Sequence, residues 1–147
     1  MTAVDSSDEA LLRRAGERLK ALPPGEPVRL RKRTSNLFRA RSAAPHRLDL
    51  SEFDGVRSVD VERRRELVGG LTTCEDLAAA TLRHGLVPLC VPQLKTITLG
   101  GAVTGVGIES ASFRNGVPHE SVTAMDILTG TGEVVHATRD NEHSDLF

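Results

Sequence analysis

The chain has 147 residues, 19 Lys+Arg against 20 Asp+Glu, a net charge of −1 and 39% hydrophobic residues. That length suits one domain with a core and is short for two. Balanced charge provides no field to hold nucleic acid or an anionic membrane, and ordinary apolar content excludes wholesale disorder.

Trp and Tyr are absent and Phe occurs four times, so the core has to be aliphatic. Cys74 and Cys90 are too few for a secreted disulfide scaffold and stand outside any CxxC or Cys/His cluster. The start, MTAVDSSDEALLRR, is acidic and lacks the basic and apolar regions of a signal peptide. The longest uncharged stretch after Lys95, TITLGGAVTGVGI, has 13 residues and is rich in glycine. A spanning helix needs about 20 apolar residues. These features predict a soluble, cytoplasmic chain with neither membrane nor nucleic acid as partner.

In chain order, residues 7–21 read as a helix, with Asp8 and Glu9 in the first turn and Leu11, Leu12, Ala15, Leu19 and Leu22 at helical spacing. Pro23, Pro24 and Gly25 stop it. In EPVRLRKRT, Val28 and Leu30 alternate with Arg29 and Arg31, predicting a half-buried strand. Residues 35–45 show no period and read as a loop. From His46 short strands follow, with a turn at Phe53-Asp54-Gly55 and an antiparallel hairpin made of VRSVDV and ELVGGL joined by ERRR. Thr72 and Glu75 fit a capping box ahead of a helix that Gly85 ends. LVPLCV reads as a short strand. Pro92 to Gly116 carries Gly100, Gly101, Gly105, Gly107 and Gly116 among Thr and Ser residues, and shows neither helical nor strand period. VTAMDILTG and EVVHAT form a strand–turn–strand around Thr131-Gly132. The layout is α+β.

The glycine-rich segment carries the chemical signal. Glycine lets backbone N–H groups approach a ligand closely, and interleaved hydroxyls add donors, a combination suited to phosphate; a turn needed only for close packing is the alternative. No Gly-Lys pair occurs, which excludes a P-loop. Gly105-Val106-Gly107 lacks the third glycine of a Rossmann fingerprint, and Asp126, near the distance expected of a ribose acid, reads as a structural strand residue. His119-Glu120 begins like HExxH, but Thr123 stands where the second His belongs. Asp140-Asn141-Glu142 resembles part of a calcium loop, yet Asp145 replaces the required glycine. No metal site is expected, and His46, His84, His136 and His143 read as isolated, solvated side chains. The basic run Arg29, Arg31, Lys32 and Arg33 lacks aromatic neighbours for base stacking and reads as a solvated face.

The stretch VPQLKTITLGGAVTGVGIESASFRNGVPHESVTAMDILTGTGEVV, followed by NEHSDLF, resembles flavoproteins of the vanillyl-alcohol oxidase type, with a PCMH-type FAD-binding domain. The likeness is greatest to the sterol Δ24-reductase (Diminuto) branch and its bacterial relatives. In that family a stretch of the form T-x-G-G-x-x-x-G-x-G-I-E-S wraps the FAD pyrophosphate. Thr98, Gly100, Gly101, Gly105, Gly107, Ile108, Glu109 and Ser110 match it position by position, and Gly116 matches a later glycine. The match is dense over 91–147 and weak but colinear from about residue 27.

The resemblance implies an α+β fold made of a small α/β subdomain and a larger subdomain with antiparallel strands, over residues 27–147 after an N-terminal helix and linker at 1–26. It implies that FAD is held by Thr98, Leu99, Gly100, Gly101, Ala102, Val103, Thr104, Gly105, Val106, Gly107, Ile108, Glu109, Ser110 and Gly116. It also implies a first pyrophosphate loop at Arg33–Asn36. Where many members carry a flavin-linking His, this chain has Thr34, Ser35 and Asn36, so the FAD is expected to be non-covalent. Glu109, the one acid in the segment, would bond the cofactor or loop backbone, or else be an exposed charge. The family's chains run on past an SDLF-like segment into a substrate domain, so this chain is expected to be an N-terminal part, incomplete at its C-terminus. A small-molecule substrate is implied for the full-length family, and no catalytic residue can be named. The activity implied is hydride transfer between a carbon substrate and flavin N5. The alternative is a non-catalytic remnant that binds FAD weakly or acts with a partner, self-associating through its incomplete sheet.

Overall fold

The computed structural model describes residues 6–32 and 43–147. The loop expected at 35–45 lies largely outside them, and the first pyrophosphate loop wholly so. The chain divides into two compact units. Among described residues, one comprises 6–31, 43–49 and 123–147, the other residue 32 and 50–122.

The first unit opens with helix α1, Ser6–Lys20. Its apolar stripe buries Ala15, and the helix packs against a hairpin of β5 (Met125–Leu128) and β6 (Val134–Ala137). Gly16 makes that packing possible, because a Cβ there would lie 2.4 Å from the Gly132 carbonyl oxygen. Gly132 has φ +78°, a left-handed conformation suited to glycine in the hairpin turn. Strands β1 (Val28–Arg31) and β2 (His46–Asp49) pair in parallel, with Leu30 beside Leu48, and Leu48 is buried. Three histidines expected to be isolated have partners: His46 Nε2 lies 2.6 Å from Glu26, His143 Nε2 lies 3.8 Å from Glu142, and His136 Nδ1 lies 2.8 Å from Asp126. The last pair sits directly across the β5–β6 ladder, where side chains of opposite strands meet.

The second unit holds the antiparallel hairpin β3 (Val56–Asp60) and β4 (Arg65–Val68), as the alternation predicts. Helix α2 spans Cys74–Leu82, and its cap differs from expectation by one residue. Thr73, not Thr72, is the N-cap: its Oγ1 accepts the Asp76 N–H at 3.1 Å and donates to the Asp76 carboxylate at 2.6 Å. Thr72 is buried instead, its Oγ1 accepting the Gly55 N–H at 2.8 Å. Gly85, at φ +70°, ends the helix in a Schellman arrangement, with Leu86 N–H on the Thr81 carbonyl and Gly85 N–H on that of Leu82.

Two expectations fail here. LVPLCV forms no strand: Pro88 deprives it of a ladder donor, and Val87 and Leu89 are exposed. The glycine-rich segment is not one aperiodic loop. It contains helices α3, Leu99–Thr104, and α4, Ser112–Asn115, followed by a 3-10 turn at Pro118–Ser121 that packs on α3.

Candidate functional site

The glycine-rich segment is built onto the start of α2. Thr98 and Thr73 form an isolated antiparallel bridge, with Cys74 N–H bonded to the Ile97 carbonyl and Leu99 N–H to that of Thr72. Thr98 then caps α3, its Oγ1 accepting the Gly101 N–H at 3.2 Å. Gly100 N–H bonds the Gly70 carbonyl at 2.9 Å, and a Cβ at Gly100 would stand 2.8 Å from that oxygen. The glycine is therefore required by a backbone passing close by.

The amides of the predicted site divide into two groups. Those of Leu99 to Gly107 find acceptors inside the protein: Thr72, Gly70, Thr98, the α3 ladder, and then Gly101, Val103 and Ala102 for Gly105, Val106 and Gly107. The last two bonds close α3 in the same Schellman pattern that ends α2. The left-handed position falls here on Val106, at φ +50°. Thr104 Oγ1 also turns inward, to the Gly100 carbonyl at 2.8 Å. Past Gly107 the pattern changes. The N–H groups of Ile108, Ser110 and Ala111, and the Ser110 hydroxyl, have no acceptor among the described residues.

Glu109 sits within that exit turn. Its N–H donates to Ser112 Oγ at 2.9 Å and its Oε1 accepts the Gln93 N–H at 2.8 Å. Ser112 Oγ also lies 3.7 Å from Cys90 Sγ, and Asn115 Nδ2 donates to the Leu89 carbonyl at 3.0 Å. The exit turn and α4 are thus tied to residues 89–93 at several points. Burial pushes the Cys74 thiol up, and its electrostatic interactions with Glu109 and Cys90 add to the shift. Gly116, at φ +78°, brings the chain round to Val117, whose N–H is taken by the Glu120 carboxylate at 2.8 Å.

The predicted residues Thr98 to Ser110 are therefore contiguous in space, while Gly116 serves the turn into the Pro118–Ser121 segment. Sequence reasoning missed Ala111, Ser112 and the backbone of Gln93. A serine three residues after Glu109 is a legible signal for a local side-chain bond; a backbone donor on a distant loop leaves none. The donor set of the exit turn fits an anionic group, since three amides and a hydroxyl are unspent and the Glu109 carboxylate is drawn onto the Gln93 N–H. Among the described residues there is no cluster of three or more His, Cys, Asp or Glu able to hold a metal ion, and no helix is long and apolar enough to cross a membrane.

The architecture is a mixed α+β fold with a glycine-rich segment closed on a helix start. The family profile described as the FAD binding domain matches residues 10–138, and the chain belongs to that family. Its cofactor is FAD. Among similar proteins, the Δ24-sterol reductase of Pisum sativum is 36% identical over 100 residues, covering 68% of this chain and 18% of the relative. Cytokinin dehydrogenase 7 of Oryza sativa subsp. japonica is 39% identical over 79 residues, 54% of this chain and 15% of the relative. The solved structure of 6-hydroxy-D-nicotine oxidase from Arthrobacter nicotinovorans shares the fold, with a TM-score of 0.69 at 19% identity over 90% of this chain and 28% of that one. The chain spans less than a fifth of the length of the two relatives matched by sequence.

Proposed function

We propose that this chain is the FAD-binding part of a flavin-dependent oxidoreductase, and that Thr98 to Ser110 with Gly116 form its cofactor segment. The observation that carries the reading is the division of amides: an internally closed helix α3 followed by unspent donors at Ile108, Ser110 and Ala111. The closed helix provides a rigid base, and the exit turn offers N–H groups and the Ser110 hydroxyl to phosphate oxygens. Attachment is non-covalent, as Thr34, Ser35 and Asn36 in place of a flavin-linking His support. FAD, when bound, supplies hydride transfer at N5 with a carbon substrate; the residues described here hold and orient it.

A visible absorption spectrum of the purified chain tests this, followed by heat denaturation and filtration. The chain contains no Trp or Tyr, so the near-ultraviolet bands of flavin also stand clear of the protein's own absorption. The reading predicts a yellow protein, or one that takes up added FAD, whose flavin passes into the filtrate. A colourless chain that takes up no FAD contradicts it, and flavin retained by the denatured protein contradicts non-covalent attachment.

A second reading, action together with a partner chain or a second copy, is supported by apolar side chains left in water in the second unit. Phe113 is 92% exposed and Ile108 75%, with Val87 and Leu89 also open. Size-exclusion chromatography coupled to light scattering decides it: dimers or larger species support association, and a monomer at working concentration contradicts self-association.

A further inference from the structure

We infer that Glu109 is a positioning residue, whose carboxylate latches the exit turn of the glycine segment to the Gln93 backbone and does not itself touch the cofactor. The inference deepens the flavin reading above and rests on it for the identity of the ligand. Glu109 is the acid embedded in the segment that presents donors to phosphate, and a carboxylate facing phosphate would repel it. The structure resolves the conflict by geometry. The carboxylate accepts the Gln93 N–H at 2.8 Å, and the residue's own N–H is taken by Ser112 Oγ at 2.9 Å. Both polar ends of Glu109 are therefore committed to neighbouring segments. The residues on either side, Ile108 and Ser110, are among those whose N–H groups remain unspent.

The latch has a reason to exist. The turn leaves the closed end of α3 through Val106, a β-branched residue held at φ +50°, and precedes a helix of only four residues, so its far flank is not fixed locally. What does fix it is a row of ties to residues 89–93: Asn115 to the Leu89 carbonyl, Ser112 beside Cys90, and Glu109 to Gln93. Of these, the Glu109 bond is the one with an ionised acceptor, which makes it the strongest of the row. Gln at position 109 can keep an acceptor oxygen in the same place; Ala cannot.

The test is FAD titration of the full chain, followed by quenching of flavin fluorescence, on wild type, Glu109→Gln, Glu109→Ala and Ser112→Ala. Amide hydrogen exchange is read in parallel. We expect Glu109→Gln to stay within about threefold of wild type in FAD affinity, and Glu109→Ala to lose about tenfold, the loss expected for a bond to a charged acceptor. Exchange at the Gln93 amide should quicken in Glu109→Ala, while the Cys74 and Leu99 amides stay protected. Unchanged affinity and unchanged Gln93 exchange in Glu109→Ala would overturn the latch. So would a Glu109→Gln variant that binds as weakly as Glu109→Ala while Gln93 remains protected, since the charge would then be touching the cofactor. Should Glu109→Ala unfold, Ser112→Ala removes the acceptor of the Glu109 N–H and the contact with Cys90: about threefold weaker binding with quickened exchange at the Gln93 amide supports the latch, and unchanged binding with unchanged exchange overturns it. A wild-type chain that takes up no FAD defeats the flavin reading, and the Gln93 amide in Glu109→Ala still decides the latch.

Discussion

Helices α2 and α3 start side by side. Thr73 caps one and Thr98 the other, the two threonines pair in a bridge, and both helices end in Schellman arrangements. Their interiors differ. The nine residues of α2, CEDLAAATL, are mostly good helix formers behind a Thr-x-x-Asp start, with Gly85 in the left-handed position that closes it. The six residues of α3, LGGAVT, include two glycines, each costing about 1 kcal/mol relative to Ala in a helix interior, and the left-handed position falls on Val106. The first helix is specified by its own residues. The second is imposed by backbone neighbours: Thr72 and Gly70 take its first amides, and Gly100 is small because the Gly70 carbonyl is there. A locally weak helix persists where its surroundings over-determine it, and such places cluster at binding sites.

The sharpest way to break the comparison is Gly100→Ala. Its Cβ would stand 2.8 Å from a backbone oxygen, so the cost should be roughly 3 kcal/mol in urea denaturation despite the gain in helix propensity. Gly101→Ala meets only the Thr98 hydroxyl, at 3.0 Å, and should stay within about 1 kcal/mol of wild type because the propensity gain offsets a disturbed cap. Equal effects from the two would undo the distinction between imposed and local helix.

The C-terminal ends offer a smaller pair of opposite sign. Gly85→Val places a β-branched residue at φ +70° and should destabilise by about 1–2 kcal/mol. Val106→Gly removes one from φ +50°, and with Val106 over half exposed it should stabilise by about 0.5–1 kcal/mol after the entropy of the unfolded glycine is counted. Thermal denaturation of both variants checks the signs.

The smallest expected effect lies away from both helices. Partial burial raises the Glu66 carboxyl above its ordinary value of 4.5. The folded chain therefore holds that proton more tightly, and stability falls as pH rises from the unfolded value through the raised folded one. Glu66→Gln should gain a little stability at pH 7 and nothing at pH 3, as urea midpoints at the two pH values would show.

Much of this fold is legible in the sequence. Helix α1 and the two hairpins follow from period-3.6 and period-2 patterns with clear turn residues. The parallel pairing of β1 with β2 is not legible, since its partner strand lies beyond a long connection and nothing local records it. Helix α3 is hidden because Gly100 and Gly101 erase the periodicity and supply no propensity. The α2 cap is displaced by one residue because Thr72, equally suited to capping, is drawn into the interior by the Gly55 amide. For the site, glycine spacing locates the segment, whereas the direction in which each amide and Glu109 turns depends on Gly70, Thr72 and Gln93, which no local pattern connects to it.

Whether the segment meets FAD through its exit turn while α3 stays closed can be read from a 1H–15N amide spectrum of the chain titrated with FAD. The largest shifts are expected at Ile108, Ser110 and Ala111, with Leu99 to Gly107 little moved. Largest shifts spread over Gly100 to Gly107, with the Gly100 and Leu99 amides released from Gly70 and Thr72, would contradict it.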